Sequence, residues 1–425
     1  MMIESKGSHL PLSEGQTDPR RLMLVLIANG LLRVANSASG ALIGFYLARL
    51  AISGRGVDAA LLGVLGLVVN LAELSAAVPF GLLADRFSPR LLLVGSGLLG
   101  AVATQLFGMS GVVAIFLLSR TMEGIAAGAS GPLLLAHFSD ITQDAPLLRG
   151  RVMGVFELSV LAGLALGSLV GGVLWDSVHT LAFSLLAVAY LVVAGLCYLG
   201  VKPAAKGHIQ PANVLGGFRR ALLDPALRQL APAWLAINAV IGLWLTHVGY
   251  QLSGPKVVGQ FLVGNFSASQ VGIILLGYAI VFGIGVTGWG FILGRMPRMI
   301  ALRINLIAMF LVCVCLYLLN TSATWTAGAR IGLLVITSLT IMIESGFTPA
   351  ALILLADIAG KKDGRGAAMG IYTLLLGLGN ALGAAVGGLL ARDMAFNGLI
   401  FGTLGLASVA FFSLIWIPQE QSRMH

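Results

Sequence analysis

Charge is what this chain of 425 residues has least of. Only 10% of it is Asp, Glu, Lys or Arg, against about 25% in an average soluble domain, and 58% is hydrophobic. That balance excludes a soluble globular enzyme and a disordered chain. Cysteine is nearly as scarce. Cys197, Cys313 and Cys315 all lie in apolar runs, so they read as small buried hydrophobes, neither a disulfide frame nor a metal site. The six histidines, at 9, 137, 179, 208, 247 and 425, are scattered. A membrane-embedded enzyme would need His, Asp or Cys clustered at one membrane face. The expectation is therefore no enzyme, no metal and no cofactor. No GxxxxGK[ST] loop occurs, which argues against direct ATP drive. Apolar/polar alternation over strands of about 10 residues is also missing, so a barrel is excluded. Residues 1–21 have no apolar core after a basic start; they read as a cytoplasmic tail and not as a cleavable signal peptide.

What the chain has is long apolar runs. Mean hydropathy is +0.95 and 56 residues are glycine. A membrane-crossing helix takes about 20 apolar residues. Twelve spans are predicted, near 22–48, 59–84, 91–110, 112–137, 152–175, 180–200, 230–252, 269–294, 299–319, 326–356, 366–391 and 396–418. The fold class is an all-α polytopic membrane protein. Residues 22–200 form one six-helix bundle and 230–418 a second. The polar stretch 201–229 links them on the cytoplasmic side, with a short amphipathic surface helix expected over Phe218–Leu230, and 419–425 is a cytoplasmic tail. The net charge of +9 lies in loops on one side, so a lipid bilayer and not nucleic acid is the expected partner. With the N-terminus inside, inner segments hold nineteen Lys/Arg and outer segments four. Basic loops stay in the cytoplasm, so both termini are expected there, in a bacterial inner membrane.

The halves repeat. Pro132 and Asp140 recur as Pro349 and Asp357, Arg149-Gly150 as Arg365-Gly366, and Met153-Gly154 as Met369-Gly370. GLALGSLVGG (Gly163–Gly172) recurs as GNALGAAVGG (Gly379–Gly388), 216 residues on. The loop GLLADRFSPR after span two has a weaker echo in GFILGRMPR after span eight. Six plus six helices in the same sense are a parallel repeat about an axis along the membrane normal.

Embedded charge marks function, because an ionisable group at the bilayer centre costs about 2.5 to 3.5 kcal/mol on insertion scales. Arg33, Glu73, Arg120, Glu123, Glu157, Arg330 and Glu344 fall inside the predicted spans, with His247 in span seven. Spans three, six, nine and twelve carry no charge in their middles and suit a lipid-facing position. The rest, above all one, four, seven and ten, suit a polar cavity. Asn29, Arg33 and Asn36 line one face of span one, and Asn70 shares a face with Glu73. His247, Tyr250 and Gln251 form a patch on span seven, and Thr337, Thr340, Glu344 and Thr348 a stripe on span ten. Candidate proton carriers are Glu73, Glu123, Glu157 and Glu344. Candidate cavity residues are Asn29, Arg33, Asn36, Asn70, Arg120, His247, Tyr250, Glu344 and Asn380.

Three motifs bring a family into view. GLLADRFSPR (Gly81–Arg90) resembles the loop G-x-L-A-D-R-x-G-R-R of the major facilitator superfamily, with Asp85, Arg86 and Arg90 matching, Ser88 at the second Gly and Pro89 at the next basic position. RTMEGIAAGA resembles that family's R-x-x-Q-G-x-G. Arg120 and Gly124 match, Glu123 stands at the Gln, and the later Gly is displaced to Gly128. GLALGSLVGG resembles the helix-five motif G-x-x-x-G-P-x-x-G-G; Gly163, Gly167, Gly171 and Gly172 match and Ser168 replaces the Pro. The resemblance covers roughly residues 20–418. It implies two bundles rocking about a central cavity, and a cytoplasmic latch of Gly81, Asp85, Arg86 and Arg90 that seats Asp85 near the start of helix eleven in the outward-open state. It also implies a link between Arg120 and proton movement. The helix-five motif marks exporters more often than importers. The expected function is proton-coupled efflux of a small amphipathic organic molecule by a monomer, since the lipid-facing helices carry no obvious polar glue. The alternative is a proton-coupled uptake symporter on the same scaffold.

Overall fold

The computed structural model describes residues 18–84, 87–143, 145–203, 225–359 and 365–415. Twelve segments in it are long and apolar enough to cross a membrane. Spans one to six are Pro19–Ile52, Ala59–Ala84, Pro89–Met109, Val113–Ile141, Pro146–Val178 and Leu181–Gly200. Spans seven to nine are Pro225–Ser253, Ala268–Ile292 and Arg298–Asn320. Span ten is two helices, Ala327–Glu344 and Phe347–Ala359; spans eleven and twelve are Arg365–Met394 and Phe396–Ile415.

Local signals set the starts. Proline opens spans one, three, five and seven, where its fixed φ suits a helix and its missing N–H is no loss. Asp18 caps span one by accepting from Arg20 N at 3.0 Å, and Ser267 and Gln270 form a capping box on span eight. Two expectations need correction here. Span five begins at Pro146, not 152, because Arg149 is helical and its guanidinium donates to Ser139 Oγ at 2.9 Å. Residues 225–230 are the first turns of span seven and not part of a linker surface helix; residues 218–224 of that expected helix lie outside the described residues.

Span ten, expected unbroken, parts at Ser345-Gly346. Pro349 has no N–H for the Ser345 carbonyl. Gly346 lies flat against the Trp289 indole, where a side chain has no room. The indole N–H donates to the Ile343 carbonyl at 2.8 Å, so the break leaves that carbonyl satisfied.

The packing repeats as the sequence does. Span one packs on five and six, two on four, and three on four and six. In the second half seven packs on eleven and twelve, eight on ten, and nine on ten and twelve. Spans three, six, nine and twelve make their main contacts within their own half. The helix-five glycines explain one of these pairs. Gly163, Gly167 and Gly171 sit against Arg33, Val34, Ser37, Ala38 and Ala41 of span one, the close approach that small residues allow in membranes.

The halves meet along spans two and eleven, five and eight, and one and seven. Call the end carrying residue 18 the near end and the opposite end the far end. The seams are tight at the far end. Gly172 abuts Ala268 and Ser269, Gly63 abuts Ala384 and Gly388, and Gly44 lies against Tyr250. Towards the near end spans five and eight stand apart. Leu147, Leu158 and Leu161 of span five are exposed, and so are Ile280, Ile284 and Phe291 of span eight. The bonds of Ser269 to Asp176 and Gly172 and the Arg392–Asp58 pair tie the halves at the far end, and the central gap lies towards the near end.

Candidate functional site

The charged groups of the first half gather on its inner wall. Arg120 and Glu123, one helical turn apart on span four, form an ion pair with side chains only 11% and 9% exposed. Glu73 on span two lies within electrostatic reach of Arg33, Arg120 and Glu123, and Arg33 within reach of Glu73 and Glu157. The Arg33 guanidinium also stands 5.3 Å over the Phe156 ring. Glu73 and Glu157 are exposed, and Glu157 acts across the gap on Tyr372 of span eleven. Five ionisable side chains from spans one, two, four and five thus share one wall. Glycine makes the assembly possible: Gly124 and Gly128 of span four touch the backbone of span two at Val69 and Glu73, which brings Glu123 and Glu73 to adjoining helices.

Behind the ion pair, Tyr190 of span six donates to Asn36 Oδ1 at 2.7 Å and lies in the field of Arg120 and Glu123. Asn36 is thereby held to a buried neighbour. Asn29 is wholly buried, and among the described residues neither of its amide atoms has a partner. Asn70 donates back to Gly66 O at 2.7 Å on its own helix.

The second half contributes differently. His247 is wholly buried with Nε2 2.8 Å from Ala384 O, and Tyr250 is 6% exposed beside Gly44. Both sit in the closed far-end packing between spans, away from the open gap. Asn380 backs onto Gly242 where spans seven and eleven touch. Glu344 stands at the break in span ten and acts on Tyr278 of span eight and Cys313 of span nine. Among the described residues no charged group acts on it in return, and it stands apart from the first-half cluster. Arg330, expected within the membrane, is the fourth residue of its helix. It lies 4.7 Å over Phe261 in the far-end loop, as a long cation at a helix end is placed to do.

Of the loop motif, Gly81 has open space around it, and Arg90 stacks on Tyr198 of span six at 3.6 Å. Asp85 and Arg86 lie outside the described residues. Sequence reasoning missed three far-end residues, Asp58, Asp176 and Arg392. Asp176 of span five accepts from Ser269 N at 2.8 Å, and Arg392 of span eleven pairs with Asp58 at 3.4 Å. The signal was present: Asp176 and Arg392 are 216 residues apart, matched positions of the repeat.

Comparison with known proteins decides the family. The family model described as Major Facilitator Superfamily matches residues 25–326 and 239–425. The chain belongs to the Major Facilitator Superfamily. It is a membrane transporter of small molecules and not an enzyme. It is 23% identical to the inner membrane transport protein YajR of Escherichia coli, over 85% of this chain and 75% of that protein. It is 25% identical to multidrug resistance protein 1 of Bacillus subtilis, over 78% and 81%. A crystal structure of the nucleoside transporter NupG superposes with a TM-score of 0.76 at 14% identity, over 94% of this chain and 100% of that one, a likeness of fold.

Proposed function

We propose that this chain is a proton-coupled exporter of a small amphipathic organic molecule, working by alternating access with Glu73 as the residue that carries the proton. The observation that carries the reading is the place of Glu73. It is an exposed carboxylate on the wall of the gap, with two arginines and a second glutamate in electrostatic reach and no ion pair of its own among the described residues. A carboxylate at membrane depth is stabilised as a charge by cations and as a neutral acid by desolvation. Closing the gap over Glu73 favours the protonated form, and opening it to water beside Arg33 and Arg120 favours release. The buried Arg120–Glu123 pair is already matched, and supports a role in holding the wall together while Glu73 titrates.

Orientation follows from the basic loops: the near end is cytoplasmic, so the conformation described is inward-open. A gap with one charged wall and a largely apolar opposite wall suits an amphipathic cargo. Export is supported by the likeness to multidrug resistance protein 1 and by the helix-five glycines, although Gly163 and Gly167 also serve span packing. The test is transport of fluorescent amphipathic dyes in proteoliposomes with an imposed pH gradient and a lumenal pH indicator. The intact protein moves dye against proton flow. Glu73→Gln keeps dye binding and loses gradient-driven transport. Full gradient-driven transport by Glu73→Gln refutes the assignment, and dye moving with the proton identifies uptake.

A further inference from the structure

The far-end seams hold a pair of carboxylate clamps that alternating access must break. The first joins spans five and eight. Asp176 of the first half sits at the N-terminus of span eight in the second half, accepting from Ser269 N at 2.8 Å, with the Ala268 backbone and the Ser267 hydroxyl close enough to act on its carboxylate. Ser269 Oγ donates on to Gly172 O, and Gly172 lets the two backbones touch at Ala268. Among the described residues no charged side chain contributes; the cation-like partner is the helix end itself, whose Ser269 N–H donates to the carboxylate. The second clamp joins spans two and eleven. Asp58 caps span two by accepting from Leu61 N at 2.9 Å, and Arg392 of the other half reaches it at 3.4 Å.

These are one device in two chemistries. Asp176 and Arg392 occupy matched positions of the repeat, 216 apart, and Ser267 and Asp58 are the matched caps of spans eight and two. Where one half places an acid beside a serine-capped helix, the other places a base beside an aspartate-capped one. Both clamps bridge the halves, and both exist only while the far end is shut. We infer that Asp176 is a gating residue: its seat on span eight sets how much of the protein rests closed at the far end, with Asp58–Arg392 as the weaker second clamp. Asp176 is exposed too, so the ranking follows from geometry. The Arg392 and Asp58 side chains are 61% and 45% exposed, and such ion pairs hold little. Asp176 accepts directly from a first-turn N–H of span eight, where the helix dipole adds to the bond.

The experiment reads conformation and needs no substrate. Spin labels are placed at Ile52→Cys and Val258→Cys, exposed far-end positions on opposite halves, and in a second sample at Leu147→Cys and Arg295→Cys near the other end. The three native cysteines are buried. Distances are measured by pulsed electron resonance in nanodiscs. Asp176→Asn should lower the closed-to-open ratio at the far end about fivefold, the factor for about 1 kcal/mol of charge–dipole attraction, while the near-end distance shortens. Asp176→Arg should open it further. Asp176→Arg with Ser267→Asp copies the second clamp into the first and should restore the closed population. Arg392→Asp should act more weakly and be rescued by Asp58→Arg. Unchanged far-end distances in Asp176→Asn overturn the inference. So does far-end lengthening without near-end shortening, which is loosening and not gating. Failure of the Asp176→Arg/Ser267→Asp pair to recover the closed state overturns it as well.

Discussion

Two glycines of one motif should fail in different ways. Gly167 lies inside the first half: a methyl group there would meet Ser37 Cβ and sit 2.7 Å from Val34 O of span one. Gly172, five residues on, lies on the seam between halves: its methyl would meet Ala268 O, 2.8 Å from Ala268 C and 3.2 Å from Ser269 Cα. Both obstacles are backbone or short side chain, so neither yields by rotation. Overpacking of this kind costs about 1–3 kcal/mol. The Gly167→Ala strain is present in every conformation that keeps span five on span one, so it falls on the folded protein as a whole. The Gly172→Ala strain exists only with the far end shut, so it falls on one conformation. Gly167→Ala should lower the thermal midpoint and leave the conformational balance alone. Gly172→Ala should shift the far end towards open, about tenfold for each 1.4 kcal/mol, with a smaller loss of midpoint. Differential scanning calorimetry and the spin-label distances separate the two. Equal midpoint losses with no distance change in Gly172→Ala would refute the assignment of that glycine to a moving seam.

Other outcomes follow from the same contacts. Glu123→Ala leaves Arg120 charged and nearly buried, and should destabilise by about 3–5 kcal/mol, more than the double change Arg120→Met/Glu123→Leu; thermal melts of the three proteins check this. Tyr190→Phe removes the bond to Asn36 and should lower stability by about 1 kcal/mol, read as an earlier midpoint. Trp289→Phe strips the indole donor from Ile343 O at the break in span ten and leaves it only the long bond from Gly346 N at 3.5 Å, which should cost about 1 kcal/mol, visible as faster amide exchange around Ser345. Thr337→Val with Thr340→Val should keep the pH dependence of transport. Both hydroxyls donate only to their own helix, at Leu333 O and Ile336 O.

The spans were legible because apolar length is a strong and local signal. The repeat was legible because glycine and proline positions survive at constant spacing, and the family followed from Asp85, Arg120 and the helix-five glycines. The break in span ten was not. Gly346 and Pro349 are common inside membrane helices, and what makes them a break is Trp289, more than fifty residues away in the chain. Exposure was also beyond reach. Tyr250 and His247 look like a polar patch on span seven, yet Tyr250 lies in the far-end seam against Gly44 of the other half, and His247 is buried against Ala384 and Gly387 of span eleven. Asp176 meets the start of span eight, more than ninety residues on in the chain, a contact that no local pattern announces.

The repeat also shows what the halves do not share. Arg33 touches Gly163 as Asn238 touches Gly379. Spans two and eight start 209 residues apart, at Ala59 and Ala268, and the same step carries Glu73 to Phe282. Pro132 and Pro349 are 217 apart, which carries Arg120 to Thr337 and Glu123 to Thr340. Four ionisable residues of one half are thus replaced by an amide, an aromatic ring and two hydroxyls in the other. A duplicated scaffold need not keep two charged walls, and an embedded charge is costly enough to be lost where it does nothing. The first half has kept its ionisable groups at these four positions, while the matched positions of the second are neutral. In that wall the changes are mechanical: a helix break under Trp289 and a helix end seated on Asp176. Coupling then requires that charge on one side alter the fit of the other, and the far-end seams are where the two sides touch.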